Sequence, residues 1–233
     1  MSAAIVTGAL GGMGSAIVTA LSGAGHALVT VDREKGADVT GDVMSGAVMR
    51  EAFDRARALS SEVHLINNAG VTRPGSPQGD EAWNETLQVN LTAPFAWSRR
   101  YAEGVESGAI TGGGIVYLGS LATTLGFPGN PSYQASKSGV LGLMRAFAYE
   151  LGPRGIRVNT VSPGYIQTAM TAKSYADPEM NAARRRQTLL DRWGQPEEVA
   201  NVVAFLCGPQ ASYVTGSNLF VDGGWTCKGL IEG

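Results

Sequence analysis

The chain reads as an α/β protein: a doubly wound parallel sheet of about seven strands, in a single domain spanning residues 1–233. Three observations predict this. Short β-branched apolar runs alternate with longer helical patterns along the whole length, as strands and crossover helices do. The strand candidates carry almost no charge, which fits strands buried on both faces of a sheet. No Ser/Pro-rich linker, charge block or internal repeat divides the 233 residues, enough for one large core and scarcely enough for two.

The elements follow in order. A first strand is placed at Ala3–Thr7 and a helix at about Gly12–Gly23. A second strand covers Ala27–Val31. Only nine residues separate Asp32 from Asp42, and a further short strand falls near Ala37–Thr40. A helical crossover between parallel strands needs about a dozen residues. The second crossover is therefore expected to be shortened to a turn or loop, leaving one sheet face thinly covered there. A helix is predicted over Ser45–Ala58, a strand over Val63–Asn67 and one long helix over Asp80–Glu103. Then come strand Gly114–Gly119, helix Ser132–Gly152, strand Arg157–Val161, helix Glu197–Cys207 and strand Asn218–Val221. Pro196, with Glu197 and Glu198 in the first turn, marks the start of that last helix.

Bulk properties exclude several roles. The chain is 44% hydrophobic and 16% charged, the balance of a folded globular protein. A net charge of −2 gives no basic surplus for nucleic acid. The longest apolar runs, Ile17–Leu21 and Val202–Cys207, are far too short to cross a membrane. MSAAIVTG has no basic region ahead of an apolar signal core, so a cytoplasmic protein is expected. Cys207 and Cys227 form no metal or redox spacing, and His26 and His64 read as packing or edge residues. No metal site is expected.

Chemistry concentrates in two places. The first strand runs into Thr7-Gly8-Ala9-Leu10-Gly11-Gly12-Met13-Gly14. Glycines let a backbone turn tightly against a pyrophosphate, and the following helix offers its first amides to the phosphate charge. A second strand ending in Asp32 is where a ribose-binding carboxylate belongs in a Rossmann-type fold. A carboxylate there repels a 2′-phosphate, so NAD is favoured over NADP. Arg33 stands next to it, either a phosphate ligand or a solvated strand-end side chain.

The other place is the set Asn90, Ser120, Tyr133 and Lys137. Tyr133 and Lys137 are one helical turn apart and face the same way. A phenol normally ionises near pH 10, roughly; an ammonium on the same face is expected to lower that value. The pair reads as a general acid/base, with the Ser120 hydroxyl to hold an oxygen beside it.

The motifs TGALGGMG (7–14), NNAG (67–70), VNL (89–91), Ser120 thirteen residues before Tyr133, YQASK (133–137), RVNTVSPGYIQT (157–168), RWGQPEEVA (192–200) and VDGG (221–224) run through the whole chain in this order. Together they resemble the short-chain dehydrogenase/reductase family, in its compact single-domain branch. The resemblance implies that Tyr133 moves the proton to or from the substrate oxygen and that Ser120 holds that oxygen. Lys137 would bind the nicotinamide ribose and, with the oxidised ring, lower the Tyr133 pKa; Asn90 would hold a water that relays protons to solvent. Gly8, Gly12, Met13 and Gly14 would form the pyrophosphate turn. Asp42 and Val43 would hold the adenine, with Asp38 and Val39 as competitors. Asn68, Ala69 and Gly70 would run beneath the cofactor, and Pro163, Gly164, Ile166 and Thr168 would orient the nicotinamide carboxamide.

The segment from Tyr165 to about Trp193 resembles the family's substrate lid. Leu121, Phe127, Tyr165 and Met170 are candidates for the pocket wall, or for core. The run Arg184-Arg185-Arg186 is an anion-binding patch or a solvated helix face. The resemblance implies a homotetramer, or a dimer, built on the two long helices. The leading function is hydride transfer between NAD(H) and a secondary alcohol or ketone. The alternatives are a 3-oxoacyl-carrier-protein reductase using NADPH, and a non-catalytic cofactor-binding regulatory protein.

Overall fold

A computed structural model describes residues 2–75 and 78–228. Seven strands form one parallel sheet: β1 (Ala3–Thr7), β2 (Ala27–Asp32), β3 (Val39–Thr40), β4 (Glu62–Asn67), β5 (Gly112–Leu118), β6 (Arg157–Pro163) and β7 (Asn218–Val221). Their spatial order is β3-β2-β1-β4-β5-β6-β7. The chain builds outward from β1 to β3, then returns to add β4 on the other side of β1. The reversal leaves a crevice beyond the carboxyl ends of β1 and β4, where open α/β sheets bind ligands.

The helices are α1 (Gly12–Gly23), α2 (Gly46–Leu59), α3 (Asp80–Leu87), α4 (Ala93–Glu106), α5 (Pro131–Leu151), α6 (Ala172–Ala176), α7 (Pro178–Gln187) and α8 (Pro196–Cys207). Every residue of β1 is buried, which is why its apolar run is continuous rather than alternating. Side chains alternate across the sheet into two cores. Ile5, Val63, Leu65, Ile115 and Tyr117 join Phe53, Trp97, Tyr101 and Met144 from α2, α4 and α5. Ala4, Val6, Ile66, Val116 and Val161 join Ile17, Leu21, Val199, Val203 and Leu206 from α1 and α8. The sheet is thus wound on both faces, as expected.

The second crossover has no helix: β2 reaches β3 through six residues, 33–38. Val39 enters the core under α2, while Thr40 on the other face is exposed. The thin cover predicted there is what the chain shows.

The single helix predicted over 80–103 is broken. A π-turn at Gln88–Thr92 separates α3 from α4. Pro94 supplies the reason. It has no N–H to give the carbonyl four residues back, and its ring crowds that carbonyl, which belongs to Asn90. A wider turn relieves both faults, and it falls on Asn90 of the predicted site.

His64 lies in β4, 5% exposed, and meets the His26 ring edge-on at 5.2 Å. His26 Nδ1 is 2.7 Å from Ser2 Oγ. Both histidines pack rather than catalyse. Burial, helped by the charges of His26 and Arg157, pushes His64 down to about 3. In the unfolded chain it protonates near its ordinary value, so between the two values the unfolded state binds more protons. Stability therefore falls as pH drops from about 6.5 toward 3. His64→Leu should move the acid-unfolding midpoint, followed by circular dichroism, to lower pH by at least about half a unit; an unchanged midpoint would assign the acid sensitivity elsewhere.

Candidate active site

The crevice is built from the end of β1. Gly8 adopts φ +64, and a Cβ on it would stand 2.8 Å from Ala69 Cα. A Cβ on Gly14 would stand 2.0 Å from Gly8 O, so only glycine lets α1 begin so close to the strand. No side chain caps α1, whose N-cap is Gly11, and its first amides are left to a ligand.

The neighbouring strand end is tied to the same loop. Thr7 Oγ1 donates to Ile66 O at 3.2 Å and accepts from the amides of Asn68 at 3.1 Å and Ala69 at 3.2 Å. Asn68 Nδ2 donates to Thr7 O and Gly8 O, both at 2.9 Å. Thr7 was not among the expected site residues; its hydroxyl is nonetheless the hub of the crevice.

A cleft of about 680 Å³ runs from here along the glycine turn. Its walls include Gly8, Gly12, Met13, Gly14, Asp32, Asp42, Val43, Asn68, Ala69, Gly70 and Thr168, as the sequence predicts. The competitor Asp38 faces elsewhere: its carboxylate accepts from the Thr30 amide at 2.8 Å and the Thr30 hydroxyl at 2.6 Å, at the sheet edge. Val39 is in the core. Asp32 is fixed by two amides, Leu10 N to Oδ2 at 2.9 Å and Glu34 N to Oδ1 at 3.1 Å. A carboxylate has about four lone-pair sites, so acceptor capacity remains. Glu34 and Glu85 join it on the cleft wall. The Arg33 side chain is 74% exposed and pairs loosely with Glu34 at 3.6 Å.

Three expected positions fall outside this cleft. Pro163 ends β6 and is buried; Gly164 abuts Asp222; the Ile166 side chain is in the core, pressed by Gly194. Strand pairing holds Pro163 and Gly164, the core takes the Ile166 side chain, and Thr168, Ala169 and Met170 line the cleft. Met170, expected against substrate, lines the dinucleotide cleft and is 55% exposed.

The four-residue set is brought together at the inner end. A Cβ on Gly70 would lie 3.4 Å from Asn90 Oδ1 and 3.8 Å from Lys137 Nζ, so the cleft floor passes directly over both. Asn90 Oδ1 accepts from Val71 N and its Nδ2 donates to Val71 O, each at 2.8 Å. Its amide braces the chain after Gly70 instead of facing solvent. Lys137 Nζ donates to Leu118 O at 2.7 Å and lies 5.7 Å from the centre of the Tyr133 ring. Ser120 follows Gly119, where any Cβ would strike Ser162 Oγ; that close approach seats Ser120 at the end of β5. Gln134, unremarked in the sequence, ties α5 to this loop by donating to Ala122 O at 2.8 Å and Leu125 O at 2.5 Å.

Electrostatics correct one expectation. In this site the Tyr133 pKa is raised on balance, not lowered. Burial raises it, the Ser120 hydroxyl opposes that, and Tyr165 adds to it. Burial also pushes Lys137 down to about 8. A dry site drives both groups toward neutrality.

On the outer side, Leu121 is buried and Phe127 meets Trp225 edge-on at 6.1 Å. Tyr165 stacks on Trp225 at 5.1 Å and meets Trp193 edge-on at 5.2 Å. The two tryptophans were not foreseen; they stand 28 and 60 residues from Tyr165, with no local pattern to join them.

The residues present fit a dinucleotide. Glycines occupy a cradle that any Cβ would fill, Asp32 is a fixed acceptor, and Asn68 Oδ1 is buried without a partner. The fold and site define a nicotinamide-dependent oxidoreductase. The family described as enoyl-(acyl carrier protein) reductase matches residues 8–226. The chain is 37% identical to a 3-oxoacyl-acyl-carrier-protein reductase of Vibrio cholerae, over 95% of this chain and 96% of that protein. It is also 37% identical to the galactitol 2-dehydrogenase (L-tagatose-forming) of Cereibacter sphaeroides, over 96% and 94%. A gluconate 5-dehydrogenase from Burkholderia cenocepacia, solved with NADP and tartrate, superposes with a TM-score of 0.89 at 27% identity, over 98% of this chain and 96% of that one. The chain belongs to the short-chain dehydrogenase/reductase family, and is an NAD(P)-dependent oxidoreductase acting on CH–OH groups.

Replacing Asn90 by Ala leaves the Val71 amide and carbonyl without partners. Urea unfolding should show a loss of about 1–3 kcal/mol. Asn90→Asp keeps the acceptor but sets a carboxylate oxygen against the Val71 carbonyl at a buried position, so it should lose at least as much as Ala; a clearly smaller loss would mean that the donated bond is not part of the brace.

Proposed function

We propose that Tyr133 is the general acid/base of a dehydrogenase that interconverts a secondary alcohol and a ketone. The observation that carries this is the placement of Tyr133, Ser120 and Lys137 at the inner end of a glycine-lined cleft, with Lys137 under Gly70. A bound nicotinamide dinucleotide supplies or accepts the hydride. In reduction, Tyr133 gives its proton to the carbonyl oxygen while Ser120 donates a hydrogen bond to it. In oxidation, Tyr133 takes the hydroxyl proton, and Lys137 beside the ring stabilises the phenolate. Asn90 holds the Val71 backbone and so keeps the floor over Lys137 in place.

Since burial holds the Tyr133 phenol above its ordinary value, the acid form dominates at neutral pH. Alcohol oxidation should therefore rise from pH 7 to pH 10, while ketone reduction should not. Tyr133→Phe should lower kcat by about 10²–10⁴ in both directions, with NADH affinity by fluorescence titration unchanged. Full activity in that variant would remove Tyr133 from the mechanism.

We infer NAD as the preferred cofactor. Asp32, Glu34 and Glu85 put three carboxylates on the cleft wall against one guanidinium, that of Arg33, which is largely exposed and paired with Glu34. The Burkholderia structure holds NADP, so the preference is this chain's own. The ratio of kcat/KM for NAD over NADP should exceed ten, and Asp32→Ser should lower it by at least about tenfold. A wild-type preference for NADP would instead support the second reading, the NADPH-linked 3-oxoacyl-carrier-protein reductase, which the Vibrio relative favours.

The remaining assignments are part of the same reading. The chain acts as one catalytic domain, with residues 165–193 as its lid. It assembles as a homotetramer, supported by exposed Phe95 and Tyr149 on α4 and α5 and exposed Phe205 and Phe220 on α8 and β7. Among the described residues no helix is long and apolar enough to cross a membrane, and a cytoplasmic location fits.

A further inference from the structure

Gln134 follows Tyr133 on α5 and commits its whole amide to the loop that carries Ser120. Its Nε2 donates to Ala122 O at 2.8 Å and to Leu125 O at 2.5 Å. Its Oε1 accepts from Phe127 N at 3.3 Å. The loop has use for all three bonds. Leu121–Thr123 is a single 3₁₀ turn, too short to pair its own last carbonyls. Ser120 O and Leu121 O accept from the Thr123 and Thr124 amides. Ala122 O and Leu125 O are met from α5 instead.

Ala122 is the residue that joins Gln134 to Ser120. Its N–H donates to Ser120 Oγ at 3.2 Å. Its carbonyl accepts from Gln134 and, at 3.2 Å, from Ser138 Oγ. Held at both its polar groups, Ala122 cannot turn its N–H away from Ser120. A hydroxyl has one proton and two lone pairs. The Ala122 amide occupies one lone pair, and among the described residues no acceptor takes the Ser120 proton. Accepting a hydrogen bond also makes the hydroxyl a better donor. Lys137 binds the same strand end at Leu118 O. Gln134, Lys137 and Ser138 thus fix the end of β5 and its turn against the stretch of α5 that carries Tyr133.

We propose that Gln134 is a positioning residue for the reaction: by holding Ala122, it keeps the Ser120 hydroxyl turned to donate to the substrate oxygen beside Tyr133. This rests on the dehydrogenase reading above and adds to it a residue that touches no reacting atom. A methionine of the same length would fill the space and hold neither carbonyl.

The test is a double-mutant cycle of Gln134→Met with Ser120→Ala. It follows reduction of ethyl acetoacetate, L-tagatose and 2,3-butanedione by NADH, and the ketone reduced fastest by the wild type is carried through. Ser120→Ala should lower kcat about 100-fold. Gln134→Met should lower kcat about tenfold, with KM and NADH affinity within about threefold. In the Ser120→Ala background the same substitution should lower kcat by no more than about a further twofold. Gln134→Glu has the same size without the paired N–H donors, and should fall at least as far as Gln134→Met. Full kcat in Gln134→Glu would overturn the proposal. So would a tenfold loss that persists without the Ser120 hydroxyl, which would make Gln134 a prop for the loop and the Phe127 wall alone. An unchanged kcat in Ser120→Ala would sink the dehydrogenase mechanism as well.

A second readout needs no turnover. The Tyr133 phenolate is followed in the NAD-loaded protein as the absorbance that disappears when Tyr133→Phe is added. A donating Ser120 favours that phenolate. The titration should therefore move to higher pH in Ser120→Ala, and by a similar step in Gln134→Met. A Gln134→Met titration that matches the wild type, where Ser120→Ala moves it, overturns the proposal. Both titrations shifted, with none of the three ketones reduced by the wild type, would count against the dehydrogenase reading and leave the link from Gln134 to Ser120 standing.

Discussion

The site depends on a single hydroxyl. Thr7 Oγ1 joins the ends of β1 and β4 where the sheet reverses direction, taking two amides and giving its proton to Ile66 O. Without that junction the Ala69 amide at the end of β4 would lose its partner, and the Asn68 amide and Ile66 carbonyl would keep only each other. With it, Asn68 lies across the glycine turn, and Ala69 can approach Gly8 closely enough that a side chain there is intolerable. Gly70 then continues over Asn90 and Lys137. The phosphate loop and the proton-transfer residues, remote in sequence, are held by one short, rigid piece of backbone.

Desolvation is the second constraint, and it acts against the chemistry until a ligand arrives. Tyr133 and Lys137 are both driven toward their neutral forms by burial. Lys137 answers by donating to Leu118 O, a backbone acceptor that carries no full charge. An ammonium so placed is held weakly, and its charge is available to a phenolate or to a ribose rather than locked in an ion pair. A lysine paired with a carboxylate would have a higher pKa but would lend Tyr133 little. Burial therefore favours the acid form of Tyr133, and its base form requires further positive charge in the cleft.

Much of this was legible in the sequence because it is local. β1, α1 and β7 fall where the apolar pattern and the glycines put them, and the short link from Asp32 to Asp42 could not hold a helix. Tyr133 and Lys137 share a face by helical spacing alone. The failures differ in kind. Pro94 stands only four residues after Asn90, and its clash with that carbonyl, a signal present in the sequence, opens the helix over 80–103 into a π-turn. Ile166 turns its side chain into the core and Met170 lines the cleft because a polypeptide crossing from β6 to α6 must bury one side chain and expose another, and the sequence does not say which. The lysine's effect on Tyr133 was misjudged for a related reason: charge proximity is visible in spacing, burial is not.

The two halves of the site differ in how they are built. On the dinucleotide side, side chains are fixed by backbone partners: Asp32 by two amides, Asn90 by both polar groups of Val71, Asn68 by two carbonyls. Few substitutions preserve such contacts, so this half can hardly vary. On the substrate side, rings meet rings. Tyr165, Trp193, Trp225 and Tyr175 touch edge-on or stacked, with one hydrogen bond from Trp193 to Asn181. Such contacts are tolerant of shape and can re-pack around different ligands. Tyr165, Trp193 and Trp225 lie on loops between the regular elements, and only Tyr175 and Asn181 sit on short helices, α6 and α7. A fold of this kind keeps one reaction and exchanges substrates by altering that segment.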